Sequence, residues 1–336
     1  MNRRNLLAAL AAFGASMWPR LTIAQTSSKA PVLGVLSSGS AMASEQWNQT
    51  RFAIKLRELG WVEGKNLVVK RLYDEGKMDR LPGLAAELVR KRVDAIYAAG
   101  PEAAVDAARA TKSIPIVFWG VAYPIEQGLV DSYARPGRNV TGIAWYAGTA
   151  QIPKLLEIAR QLSPGAMRIA YFSFQTALRT VAGGYSDELD RKMEAEAKKL
   201  GFDLRAYPIS KREDFDTAFK AILAFRAQAL VTPTTWLAYL ERRRIVDFAN
   251  DNHLIGLFDT KQFVDLGGPI SYGPNFRYTH ERAASHVDRI LRGAQPSDLP
   301  VEQPATFELA INLKSAKKLG IAVPPSVLLR ADNVIE

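Results

Sequence analysis

Apolar and polar positions along this chain fall into two successive sets of short strands and amphipathic helices. Val32 to Leu36 is a compact apolar run, the pattern of a buried strand, and it runs out into the loop Ser37-Ser38-Gly39-Ser40. Ser44 is the expected N-cap of a helix whose Phe52, Leu56 and Leu59 share one face, and Gly60 stops it. Leu67 to Tyr73 reads as the next strand. Leu81, Leu84, Ala85, Leu88 and Val89 then form a helical stripe at i, i+3, i+4, i+7 and i+8. Between Val93 and Pro124 lies a βαβ unit. Asp94 to Ala99 is a strand, Gly100-Pro101 turns into an alanine-rich helix, and Ile114 to Phe118 is a second buried strand. Val140 to Trp145 closes a first set of five strands.

The pattern then starts again. Leu155, Ala159 and Leu162 mark a helix ended by Pro164-Gly165, and Arg168 to Phe174 is a strand. Leu189, Met193 and Leu200 lie on a helix stopped by Gly201, and Leu204 to Ile209 is a strand. Phe215, Phe219 and Ile222 line a further helix. Ala229 to Val231 leads into Thr232-Pro233-Thr234-Thr235-Trp236, and another helix runs to about Asn250. Leu254 to Phe258 and Pro269 to Tyr272 complete the second set. Such alternation predicts an α/β protein of two doubly wound lobes, each a parallel sheet covered on both faces, with a cleft between them. A helix carrying Ala283, Val287, Ile290 and Leu291 and a late strand, Phe307 to Leu313, fall outside both sets.

Composition changes this picture at one end only. A length of 336 residues fits roughly two domains of about 150 residues each. In the first 24 residues, however, Arg3-Arg4 precede an almost wholly apolar stretch from Leu6 to Met17, and Thr22-Ile23-Ala24 resembles a small-residue cleavage site. We expect an export signal, with Arg3-Arg4-Asn5-Leu6-Leu7 resembling the twin-arginine subtype and a general-secretory signal as the alternative. Its removal takes Arg3, Arg4 and Arg20 with it, so a net charge of +10 becomes +7. The remaining basic residues are scattered among acids, as in Glu241-Arg242-Arg243-Arg244, which is a solvated surface rather than a nucleic-acid footprint. The absence of cysteine excludes a disulfide framework, thiol chemistry and a lipid anchor on cysteine.

Signatures of catalysis are missing from the sequence. Of the three histidines, His280 and His286 are six residues apart, about 240° around a helix, so they cannot share a face as metal ligands do. No G-x-S-x-G elbow, Walker loop or G-x-G-x-x-G turn follows a strand. We therefore expect no catalytic residue, no metal and no cofactor, with an exported α/β enzyme acting on a small molecule in the same cleft as the alternative. What remains is polar and aromatic residues at strand ends, where α/β sheets bind ligands. Ser37 and Ser38 follow the first strand, Glu102 opens a helix, and Trp119 and Tyr123 follow the fourth strand. On the other lobe stand Phe174, Gln175, Thr235, Trp236 and Asp259. Singly, each has an ordinary structural role as a cap or core residue. Together they outline an aromatic-lined cleft for a small molecule.

Several stretches carry a resemblance: LRELGWVEGKNLVV, DRLPGLAAELVRKRVDAI, IPIVF, GLVDSYARPGRNVTG, PISYGP and DLPVEQPATFELAINLKSAKKLGIAVPPSVLLRAD. From about Pro31 to Ile335 they resemble the periplasmic substrate-binding proteins of ABC importers of the tryptophan/tyrosine type. The resemblance implies the type I periplasmic-binding-protein fold, two Rossmann-like lobes joined by a hinge of three crossings. It also implies a monomer that delivers a small ligand, often an aromatic or branched amino acid, to an inner-membrane ABC permease. Lobe 1 would hold residues 31–145 and about 274–296, and lobe 2 residues 146–273 and about 297–330. Two departures bear on the ligand. Ala122-Tyr123-Pro124 stands where the family reads G-D-P, and Gly100-Pro101-Glu102-Ala103 where it often reads T-P-A-A. Either Glu102 and Asp259 take over recognition of an amine, or the ligand is not an α-amino acid.

Overall fold

A computed structural model describes residues 29–145, 151–165, 167–184 and 187–336; the expected export signal lies outside them. Residues 31–336 form one compact unit. It is built on two sheets. The first takes β1 (Val32–Ser37), β2 (Val68–Tyr73), β3 (Ala95–Ala99), β4 (Ile116–Val121) and β5 (Val140–Ala144), all parallel, in the order β2-β1-β3-β4-β5. The second takes β6 (Arg168–Phe174), β7 (Asp203–Ile209), β8 (Ala229–Thr232), β9 (Ile255–Phe258), β10 (Ile270–Pro274), β11 (Phe307–Asn312) and β12 (Asn333–Ile335). Its order is β12-β11-β10-β9-β8-β6-β7, with β11 antiparallel to β10. In each sheet the winding reverses once, beside β1 and beside β6. Such a reversal leaves a crevice beyond the strand ends.

Helices cover both faces of both sheets, which is why the central strands read as unbroken apolar runs. Leu33 and Leu36 are fully buried and contribute on the order of 2 kcal/mol each. On one face of the first sheet Leu81, Ala85 and Leu88 pack with Ala103 and Ala107; on the other, Phe52 and Leu56 pack with Ala283 and Val287. The helix expected from Ser44 is in fact two helices, Ser44–Asn48 and Arg51–Glu58. Thr50 separates them. Its hydroxyl accepts from the Ala53 amide, capping the second helix, and donates to the Trp47 carbonyl, closing the first.

The helix Phe276–Leu291, capped by the Asn275 side chain at the Tyr278 amide, crosses back to the first lobe. There Trp61 donates to Asp288 at 2.8 Å. The return stretch reaches past residue 296. Leu299 and Val301 are buried in the first-lobe cores, and Glu302 exchanges backbone hydrogen bonds with Gly142 and Ala144 along β5. Only beyond residue 302 does the chain join the second sheet.

The lobes also meet outside these crossings. After β6 the chain turns over the first-lobe helix Pro101–Ala110, and Arg179 grips Asp106 with two hydrogen bonds of 2.8 and 2.9 Å. The Asp106 side chain is fully enclosed, and Arg109 stands beside it at 3.5 Å. Removing either member of such a pair strands a buried charge. Among the described residues no helix is long and apolar enough to cross a membrane.

Candidate ligand-binding site

A cavity of about 500 Å³ lies between the lobes, at the carboxyl ends of β1, β3 and β4. That volume suits a small organic molecule. First-lobe strands set much of its wall, because each apolar run ends there in residues that turn toward the cleft. Ser37 and Ser38 follow β1, Gly100 to Glu102 follow β3, and Trp119 and Gly120 end β4. The second lobe answers with Thr234, Thr235, Trp236, Tyr239 and Gln262. Phe276 and His280, at the start of the crossing helix, complete the enclosure.

Among the described residues nine aromatic side chains line the cavity, and several of them brace one another. Phe52 stacks on Tyr97 with ring centres 3.9 Å apart. The Trp119 ring packs 4.0 Å from the His280 ring and 5.6 Å from both Trp145 and Phe276, and its indole N–H donates to Thr279. His280 Nδ1 donates to the Phe276 carbonyl at 2.8 Å, leaving Nε2 as an acceptor. Burial takes water from this imidazole and lowers its pKa to about 4, against a smaller upward pull from that hydrogen bond. His280 is therefore neutral at physiological pH.

Glu102 is the one charged side chain among the described lining residues, and it is 1% exposed. It stands in the first turn of Pro101–Ala110, where a negative charge suits the helix dipole. Its carboxylate folds back over the turn: a methyl placed on Gly100 would lie 3.6 Å from Oε2. The Ser38 hydroxyl and the Trp236 indole nitrogen are buried with no hydrogen-bond partner among the described residues. Trp236 also reaches across to the first lobe. Gly39 has φ +108°, and a Cβ there would lie 2.2 Å from Trp236 Cζ2, so only glycine lets the lobes approach this closely.

The structure brings Ser37, Ser38, Glu102, Trp119, Thr235 and Trp236 together around the cavity. Four other residues expected there lie elsewhere. Tyr123 is buried among second-lobe core residues, and burial raises its hydroxyl pKa far above the usual value. Phe174 points into the core beneath the helix Asp214–Ala224, against Phe172 and Phe215. Gln175 turns back to donate to Ser173 Oγ at 2.9 Å, because the chain after β6 leaves for the Asp106 clasp. Asp259 is 3% exposed and accepts from Trp145 Nε1 at 3.0 Å, from the Thr234 amide at 2.9 Å, and from the Thr234 hydroxyl. It lines a smaller neighbouring cavity of about 150 Å³. Its work is to hold the Thr234–Trp236 turn and tie it to the first lobe.

Other functional positions escaped the sequence reading. Asp74, fully buried just after β2, accepts from the Gly39 amide at 2.6 Å and the Gly76 amide at 2.9 Å, and so fixes the loop that meets Trp236. An acid directly after a strand and two residues before a glycine was the available signal. Phe52, Tyr97 and Phe276 gave none, since on their elements they read as core. Among the described residues no cluster of histidines and acids is placed to hold a metal. What the site can do is enclose a flat body, meet it with polar groups at its edge, and present one carboxylate.

Comparison with known proteins gives this arrangement a context. Residues 48–335 match the family model described as ABC transporter substrate binding protein. A tyrosine-binding protein of Clostridioides difficile (strain R20291) is 26% identical over 288 residues, covering 84% of this chain and 78% of that protein. The crystal structure of an ABC domain in complex with L-Trp from Streptococcus pneumonia superposes with a TM-score of 0.80 at 22% identity, covering 91% of this chain and 99% of that one. A conserved domain protein from Vibrio cholerae O1 biovar El Tor does so with a TM-score of 0.81 at 24% identity, covering 91% and 100%.

Proposed function

Because this chain belongs to the ABC transporter substrate-binding protein family, we propose that it acts in the periplasm, carrying a small organic ligand with an aromatic or otherwise flat body to an inner-membrane ABC permease. The observation that carries the reading is the cavity of about 500 Å³ lined, among the described residues, by nine aromatic side chains from both lobes. A ligand touching both walls favours the closed arrangement, in which Trp236 lies against Gly39, over an open one. It can shift that equilibrium only by its difference in affinity for the two. The closed surface is then what a permease would recognise. Residues 1–24 would direct export, with Arg3-Arg4 as the mark of the twin-arginine route, and the mature chain would work as a monomer.

The relatives' tyrosine and L-Trp make aromatic amino acids the first compounds to try. The test is a thermal-shift screen of the chain from Gln25 onward against aromatic amino acids, amines, acids and non-aromatic controls. A ligand at 100 times its dissociation constant stabilises by about 2.7 kcal/mol. Stabilisation by flat compounds, with the compound recovered unchanged, is the expected result. Chemical turnover, or no response to any flat compound, would overturn the reading.

A further inference from the structure

We propose that the ligand is a flat organic cation, an aromatic body carrying a protonated amine or similar nitrogen and no carboxylate, with Glu102 as its counter-charge. The inference rests on the cavity being the ligand site. Its first ground is the sign of the charge: Glu102 is the one charged side chain among the described lining residues, and no Lys or Arg joins it. Outside the expected export signal, which holds Arg3, Arg4 and Arg20, the residues not described include no Lys or Arg in the sequence either. Two arginines do reach lining rings, Arg71 at 5.5 Å from Trp47 and Arg242 at 4.0 Å from Tyr239. Neither guanidinium lines the cavity, and Arg71 is paired with Glu63 at 2.7 Å.

The second ground is the helix terminus. A carboxylate ligand would ordinarily be taken at the start of a helix such as Pro101–Ala110, where amide N–H groups point outward. Here the first helical residue is a proline, which has no N–H, and the Glu102 carboxylate already folds over Gly100. A ligand carboxylate would meet repulsion where it should find donors.

The third ground is the walls. Aromatic rings attract a cation, more strongly where water is excluded, and Trp119, Trp145 and Phe276 are among the rings that line the cavity. The unpartnered Trp236 N–H can only donate, and its ring meets Gly39, the neighbour of the unpartnered Ser38 hydroxyl. That edge fits a neutral acceptor on the ligand, such as a hydroxyl, carbonyl or ring nitrogen. One indole N–H and one hydroxyl do not compensate a buried carboxylate.

The experiment uses matched triplets that share one aromatic body and differ only in the polar end. Tryptamine, tryptophan and indole-3-propionate make one set; tyramine, tyrosine and 4-hydroxyphenylpropionate another; further ring bodies extend the series. Affinities are measured by calorimetry on the mature protein. In the sets that bind, the amine should bind more tightly than its amino acid and its acid by about tenfold or more. Glu102→Gln should remove that preference. An amino acid or acid that binds as tightly as its amine overturns the proposal, and this comparison within the wild-type protein does not depend on the variant folding. An amine preference that survives in a folded Glu102→Gln protein also overturns it. If no flat compound of any charge binds, the solute-binding reading of this cavity fails and the charge inference falls with it.

Discussion

The first lobe meets the cavity with rings rooted in its sheet and helices. Tyr97 lies in β3, Trp119 in β4, Trp145 follows β5, and Phe52 stacks on Tyr97 from the helix beneath. The second lobe meets it chiefly with one turn and a short helix, Thr234 to Tyr239, held by hydrogen bonds to Asp259. The two acids mark the same difference. Glu102 and Asp259 both follow strand ends, yet Glu102 faces the large cavity while Asp259 is occupied holding the turn. One lobe offers rings rooted in its sheet; the other offers a turn tied down by hydrogen bonds.

The largest effect that probes this division is on pH stability, and it acts on the first-lobe wall. The His280 pKa lies at about 4, below the usual value near 6.5, so the unfolded chain takes up the proton first as pH falls. Stability should decline from about pH 6.5 to about pH 4, by up to about 3 kcal/mol. Denaturant unfolding at several pH values measures it, and a slope unchanged in His280→Gln would clear His280 of any part in it.

Next is closure itself. Gly39→Val puts branched carbon where the Trp236 ring lies, so the lobes should no longer meet. Affinity should drop about 100-fold, roughly 2.7 kcal/mol, as read by calorimetry with a compound that stabilises the wild type. Folding stability should fall by less, on the order of 1 kcal/mol for a side chain at positive φ. Equal affinity in the variant would separate closure from binding.

Asp259→Ala attacks the closing turn from behind, leaving the Thr234 amide and the Trp145 indole without their acceptor. A loss of about 2 kcal/mol in unfolding free energy is expected, with weaker ligand binding alongside. Loss of stability with intact affinity would mean that the turn does not need Asp259 to close. The smallest effect is that of Trp236→Phe, which keeps a ring but removes the unpartnered N–H. Affinity should fall by about 1 kcal/mol while the ligand-free melting point stays level; a lowered melting point without affinity loss would make that N–H structural.

The legibility of these features in the sequence follows from how local their causes are. Leu33 to Leu36 announced a strand because both faces of the sheet are covered, and the stripe from Leu81 to Val89 announced a helix by its period. β12 was hidden: three residues with Val334 exposed carry no pattern. The break at Thr50 was hidden too, since a threonine inside an apolar stripe looks like a tolerated polar position until its hydroxyl is seen capping. In the site, Ser38, Glu102 and Trp119 were legible because a strand end fixes their place. Tyr123, Phe174 and Gln175 share that signature, but where they point depends on where the chain goes next, into the opposite core or toward Asp106. That is a tertiary property.

The central claim, that the ligand is held by the first lobe and shut in by the second, is tested most directly by an interlobe distance. The chain has no cysteine, so spin labels on cysteines introduced at the exposed positions Lys77 and Lys211, one on each lobe, report that distance cleanly. A compound that stabilises the protein should collapse the distribution to one short distance, and should fail to do so in Gly39→Val. A distribution unchanged by saturating ligand in the wild-type protein would contradict the account.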